Sequence, residues 1–282
     1  MLNVTSLADR ALAVYRKDGA LSLSKKALHK LYTETYSRTM SARGHYSLSL
    51  DDRTVEFSAT TPTLVKRNRQ RFQSESEEIR DFLDSIDEDE VVYDIGANTG
   101  LYSLFAATKC HRGTVIAFEP YPPNAEVLHR DRDRNEMNNI QILEYALSDS
   151  EGEIDFSQPK EDDIGFGSSS IDAMRSGDVI TVPTTTGDTL VRDDKIPTPN
   201  VIKIDVEGAE PLVIDGMEET LAAPSCRTIY CEVHLPGISK RPSIKDFGST
   251  PNELEAKLEE LGFSVRRIQT ESESELTIKA TK

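Results

Sequence analysis

Apolar positions fall into two regimes along the chain. Up to about residue 90 they recur at helical spacing or alternate in short runs, and beyond it short apolar segments alternate with helical ones. Residues 5–17 and 24–38 read as helices. In the second, Ala27, Leu28, Leu31 and Tyr32 lie near one face, interleaved with Lys25, Lys26 and Lys30. Residues 46–50 and 53–58 alternate on either side of Asp51-Asp52, which predicts a hairpin. Residues 64–86 read as helical, with Ile79, Phe82, Leu83 and Ile86 recurring every three or four positions.

From Val91 the pattern is strand, then helix, repeatedly. Strands are predicted at Val91–Ile95, Thr114–Phe118, Ile140–Leu147, Val201–Ile204 and Thr228–Val233. Helices are predicted at residues 101–109, at Asn124–Asn138 behind Pro122-Pro123, and after Thr250-Pro251-Asn252-Glu253, a start signal with a capping threonine. Gly262 ends that last helix. Ser264–Gln269 and Leu276–Lys279 form a final pair of strands. Their connection is too short for a parallel crossover, so they must run antiparallel. Residues 150–200 read as an irregular insertion rich in Gly, Ser, Thr and Asp, with one strand at Val179–Thr184. Such a pattern implies an α/β fold, with a mostly parallel sheet covered on both faces and a reversed C-terminal strand. We divide it into an N-terminal extension over 1–88 and a main domain over 89–282.

Composition narrows the picture. No run of about 18 apolar residues is present, so no membrane-spanning helix is expected. The N-terminus lacks the apolar core of a secretory signal, and the expected location is the cytoplasm. Cys110, Cys226 and Cys231 lack the spacing of a disulfide framework or a zinc site. The formal net charge is −16, which makes duplex nucleic acid a poor partner and fits a halophilic protein whose self-repulsion is screened by salt. That charge is segregated. Residues 1–72 hold 13 Lys/Arg against 6 Asp/Glu, while the remainder holds 20 against 43. The basic helix 24–38 can lie on an anionic membrane surface or pack on the main domain, and the shortness of its apolar stripe favours packing.

Candidate chemistry gathers at the carboxyl ends of the strands, where open α/β sheets bind ligands. The first strand runs into Asp94-Ile95-Gly96-Ala97-Asn98-Thr99-Gly100, the second into Glu119-Pro120, the third into Ser148-Asp149, the fourth into Asp205-Val206-Glu207-Gly208 and the fifth into Glu232-Val233-His234. Five successive strands therefore deliver polar groups to one edge. Gly96 and Gly100 allow a tight turn at a helix N-terminus, but the spacing is not G-x-G-x-x-G, which argues against a dinucleotide pyrophosphate. Glu119 is placed to accept hydrogen bonds from two ribose hydroxyls, and Asp149 from an adenine amine.

Asp94–Gly100, Phe118-Glu119-Pro120, Ala146–Asp149 and Lys203–Glu210 resemble the FkbM family of S-adenosylmethionine-dependent methyltransferases over residues 90–235. Lys203–Glu210 is the most specific piece. Asp188 stands where that family has an acidic residue before the fourth strand, although Gly187 replaces its usual apolar neighbour. The resemblance implies a Rossmann-like seven-stranded methyltransferase sheet, S-adenosyl-L-methionine as cofactor, and O-methylation of a hydroxyl on a sugar, glycan or secondary metabolite. Carried over by position, Asp94, Gly96 and Asn98 line the methionine end, Glu119 the ribose and Asp149 the adenine side, with Gly100 a further cofactor-binding residue.

An alcohol acceptor gains from a general base, and Asp205, Glu207, Glu210, Glu232 and His234 are candidates, His234 first by its ordinary pKa and Asp205 second. Lys203 alternates with Asp205 on one strand face and can pair with an acidic neighbour or orient the acceptor. Asp205 and Glu207 are oxygen ligands of the kind a metal-dependent enzyme uses, but no full ligand set is visible, so no metal is assigned. The expected partner is a small-molecule or glycan acceptor, which a membrane-facing N-terminus would allow to be lipid-linked. Two other readings stay open: a nicotinamide-dependent oxidoreductase or epimerase, and a non-catalytic cofactor-binding subunit of a glycan-assembly complex.

Overall fold

Short apolar runs that are buried on both faces make the centre of a sheet, and Val201–Ile204 is the clearest example: all four residues are buried. The computed structural model describes residues 27–157, 179–237, 242–268 and 274–282. In it, seven strands form the central sheet: β3 (Val91–Ile95), β4 (Thr114–Phe118), β5 (Ile140–Leu143), β9 (Val201–Ile204), β10 (Thr228–His234), β11 (Ser264–Ile268) and β12 (Glu275–Thr281). Their spatial order is β11-β12-β10-β9-β3-β4-β5. Strands β5, β4, β3, β9 and β10 are parallel to one another, and β12 runs antiparallel to both β10 and β11. The predicted antiparallel closing pair is therefore present. The order reverses between β3 and β9, which places the ligand-binding crevice at their carboxyl ends.

Neighbouring residues of each central strand serve opposite faces. Val92, Val115, Ala117 and Val201 join one apolar core with Leu101, Leu104 and Phe105 of α4 (Leu101–Lys109). Tyr93, Ile116, Phe118, Ile202 and Ile204 join the other with Val213 and Ile214 of α7 (Glu210–Asp215), Leu221 of α8 (Glu218–Ala222) and Leu254 of α9 (Pro251–Glu260). Each such side chain contributes roughly 1.5–3 kcal/mol on full burial, enough to fix strand register face by face.

The N-terminal residues supply the first core's outer layer. Helix α1 covers residues 27–43. Strands β1 (His45–Leu50) and β2 (Arg53–Ser58) pair in register Leu50↔Arg53, so Asp51 and Asp52 form a two-residue turn with Asp51 left-handed at φ 52. Leu48, Val55 and Phe57 of this hairpin pack in the same core as Phe105. Ser58 donates from both its N–H and its hydroxyl to Asp131 on α5 (Pro122–Arg134), at 2.7 and 2.5 Å. Along α1, Tyr36 and Met40 pack on the core, whereas Leu28, Leu31 and Tyr32 are exposed.

Three expectations need correction. Residues 64–86 are not one continuous helix: α2 (Pro62–Ser74) and α3 (Ser76–Asp84) are broken at Glu75, where Ser74 and Ser76 flank the break and compete locally for backbone bonds. The third strand stops at Leu143. Ala146–Leu147 is a separate strand, β6, which joins β7 (Gly152–Ser157) and β8 (Val179–Thr185) in a second sheet of order β6-β8-β7. The strand expected at Val179–Thr184 is present as β8, but the rest of the insertion at 150–200 is not irregular where it is described, because β7 and α6 (Gly187–Arg192) also organise it. Residues 5–17 and 158–178 lie outside the described residues.

Candidate active site

The loop after β3 is shaped by contacts that side chains would block. A Cβ on Gly96 would stand 1.9 Å from the Asp205 carbonyl oxygen, and its φ of +82° is a glycine conformation, so the loop passes directly over the end of β9. Asn98 is left-handed at φ 53, which turns its N–H onto Glu119 Oε2 at 2.7 Å. The other Glu119 oxygen accepts the Tyr121 N–H at 3.0 Å, and Asn124 Nδ2 stands 3.5 Å from it. Burial pushes the Glu119 carboxyl up to about 7, against these hydrogen bonds. Each carboxylate oxygen has two lone pairs, so acceptor capacity remains for a ligand's hydroxyls.

Asp94 is fully buried, takes a 2.5 Å hydrogen bond from Ser103 on Oδ2, and has a buried Oδ1 with no hydrogen-bond partner. An orphaned acceptor on β3, beside the loop bounded by Gly96 and Gly100, fits the methionine amine of S-adenosylmethionine, and Glu119 fits its ribose. Asp149 sits elsewhere in character: it is exposed beyond β6, and its Oδ1 accepts from Ser148 and Ser150. The sheet thus brings Asp94, Gly96, Asn98, Gly100 and Glu119 together, and leaves Asp149 on a neighbouring turn.

A second, charged group lies at the ends of β9 and β10. Register sets Lys203 beside Asp94 on one side and Tyr230 on the other. Lys203 Nζ donates to Asp205 Oδ2 at 3.1 Å and lies 4.5 Å from the Tyr102 ring centre. Arg71 of α2 donates to the same oxygen at 2.8 Å and to Glu75 at 2.8 Å. Burial works against the Asp205 charge, but Lys203 and Arg71 outweigh it and hold the carboxyl well below the usual range. Burial and the Asp205 charge push the neighbouring Glu232 carboxyl upward.

Arg71 is the residue that sequence reasoning missed. It belongs to the extension, 134 positions from its partner, and on α2 it reads as one more basic residue on a polar helix.

His234 ends β10 between two carboxylates. Its Nδ1 is 2.9 Å from Glu210 Oε1, which also accepts the Gly208 N–H at 2.8 Å, and its Nε2 is 3.4 Å from Glu207 Oε2. Burial alone would lower the imidazole pKa, but the Glu210 hydrogen bond and the charges of Glu207 and Glu210 push it up to about 10. In that form His234 has no lone pair with which to take a proton at neutral pH. Glu207 is left-handed at φ 53 and Gly208 at φ 98, so the Asp205–Glu210 turn is tightly folded around this imidazole. Asp188 faces another way: both of its oxygens cap α8, accepting from Glu219 N–H at 3.0 Å and Thr220 N–H at 2.7 Å.

The methyltransferase FkbM domain model matches residues 94–265. The chain is 35% identical over 162 residues to the hexuronic acid methyltransferase AglP of Haloferax volcanii, covering 57% of this chain and 63% of that protein, so somewhat less than two thirds of the relative's length is matched. It is 26% identical over 211 residues to methyltransferase sdnD of Sordaria araneosa, covering 64% of this chain and 76% of the other. Among solved structures, precorrin-6y C5,15-methyltransferase from Geobacter metallireducens superposes with a TM-score of 0.46 at 14% identity, covering 73% of this chain and 88% of that one. The family match runs from Asp94 to Val265, at the start of β11, and spans more than half the chain. With the strand order and the loop that would cradle S-adenosylmethionine, it shows that this protein belongs to the FkbM family of methyltransferases.

Proposed function

We propose that this methyltransferase transfers its methyl group to an oxygen of a sugar, and that the acceptor is a glycan containing a uronic acid. The carrying observation is the likeness to a hexuronic acid methyltransferase at 35% identity. Bound at Asp94–Gly100 and Glu119, the cofactor supplies a methyl group on a positively charged sulfur, which departs as a neutral thioether. The protein's part is to align an acceptor oxygen in line with that sulfur and to exclude water. Asp205, Glu207, Lys203 and His234 stand on the acceptor side.

Two kinds of oxygen are available on a uronic acid. A hydroxyl must lose a proton as it attacks, and neither a protonated His234 nor an Asp205 paired with two cations is a good base for it. A carboxylate oxygen attacks without losing a proton, so the charge state of the site supports the carboxylate as a second reading. The exposed Leu28, Leu31 and Tyr32 of α1, beside Lys30, support an acceptor presented at an anionic lipid surface.

Purified protein, cofactor and a hexuronic-acid oligosaccharide should give a product heavier by one methyl group, while the neutral hexose counterpart stays unmodified. Alkali separates the two oxygen readings, since it cleaves a methyl ester and spares a methyl ether. Protein that binds cofactor but methylates neither oligosaccharide would overturn the acceptor assignment.

A further inference from the structure

We propose that Asp205, Glu207 and His234 form a divalent-cation site, of the class that takes Mn2+, at the strand edge beside the cofactor loop. One ligand atom from each of the three residues lies within 4.8 Å of the others. Ligands about 2.0–2.4 Å from a shared ion stand at most about 4–5 Å apart, so small side-chain adjustments close the set. Two carboxylates and one imidazole suit a divalent first-row ion: the carboxylates match the oxygen preference of Mn2+, and the imidazole is a nitrogen ligand that Mg2+ and Ca2+ sites rarely use.

The independent evidence is the histidine itself. His234 is 3% exposed, and its Nε2 is buried with no hydrogen-bond partner, 3.4 Å from Glu207. Its Nδ1 is held by Glu210 Oε1 at 2.9 Å, and Glu210 is anchored in turn by the Gly208 N–H. A carboxylate on one imidazole nitrogen fixes the tautomer that offers the other nitrogen to a metal, and this backing is the usual partner of a ligating histidine.

Arg71 and Lys203 repel a cation, but both bind Asp205 through Oδ2, and neither hydrogen bond engages Oδ1. The Gly96 contact sets Asp205 against the cofactor loop. An ion there would hold acceptor oxygens next to the methyl group. That use rests on the sugar O-methylation reading, while the binding itself does not.

The test is titration of Mn2+ into the full chain, followed by calorimetry and by the electron spin resonance of free Mn2+. Salt is kept high enough to screen the acidic surface. S-adenosylmethionine binding is measured on every variant as the control for folding. The expected result is one saturable site, weakened about 10–100-fold by Glu210→Gln, which leaves all three ligands in place, and at least as much by His234→Gln and Glu207→Gln. No saturable binding at millimolar Mn2+ by protein that binds the cofactor would overturn the site, as would one indifferent to His234→Gln. If Mn2+ binds as expected and the uronic acid glycan is still not methylated, the acceptor reading fails and the cation site stands.

Discussion

Arg71, on helix α2 of the N-terminal extension, donates a 2.8 Å hydrogen bond to Asp205 at the end of the fourth parallel strand. The two lie 134 positions apart, and Arg71 falls outside the matched family region. The extension is therefore part of the site's electrostatics. Lys203 and Arg71 share one Asp205 oxygen, and Glu75 balances the second positive charge from the helix side.

Arg71→Met tests that arrangement. The methionine keeps the alkyl stem's packing and removes the charge, leaving Lys203 as the cation hydrogen-bonded to Asp205 Oδ2 and removing the guanidinium from Glu75. Loss of a charge-assisted buried bond should cost about 1–3 kcal/mol of stability, read by urea unfolding. Methyl-transfer kcat should fall at least about tenfold while cofactor affinity changes little, the signature of an interaction that positions reacting groups. Equal losses in cofactor affinity and kcat would show that Arg71 acts on the fold alone.

The strand edge was legible because short apolar runs that end in a polar residue mark a buried parallel strand and its exit. Asp94, Glu119, Asp205 and His234 each sit at such an exit. What escaped lies where local pattern carries no information. Ile140–Leu147 is apolar enough for one strand, yet Glu144 and Tyr145 lead the chain out of the main sheet to start a second one. Glu153-Ile154-Asp155-Phe156 alternates over too short a stretch to stand out between glycines and serines. Arg71 could not be singled out from α2, because only tertiary packing brings it to β9.

Asp188 gives a contrast between position in a motif and work in the structure. Both of its oxygens cap α8. Asp188→Ala should cost about 0.5–2 kcal/mol by loss of the cap and leave kcat unchanged in protein that is folded at assay temperature. Asp188→Asn, which keeps one of the two acceptors and sets its amide NH2 against the other N–H, should recover only part of that loss. A large fall in kcat with native stability would place Asp188 in the chemistry instead.

The net charge of −16 makes a prediction of its own. With 49 acidic against 33 basic residues, repulsion outweighs surface pairing, so added KCl should raise the thermal midpoint. Screening shortens from about 10 Å at 0.1 M to about 3 Å at 1 M, so most of the gain should come below about 1 M. Calorimetric scans in a KCl series read this directly, and a midpoint that falls over that range would show that the favourable ion pairs dominate.

Glu119 links the cofactor to pH. Burial raises its carboxyl from 4.5 to about 7, so the fold favours the protonated form. A raised acid contributes stability that is complete below its unfolded value and is lost as pH climbs from there to about 7. Ribose hydroxyls donate hydrogen bonds to the ionised form, so binding must draw the proton off. Cofactor affinity should therefore strengthen as pH rises through 7 and level off above it, weakening about tenfold per unit below. In Glu119→Gln the affinity should be lower and this step absent, because the amide does not titrate. Calorimetric titrations between pH 5.5 and 8.5 on both proteins decide the matter. If the two pH profiles run parallel, the step belongs to another group and the ribose assignment loses its electrostatic support.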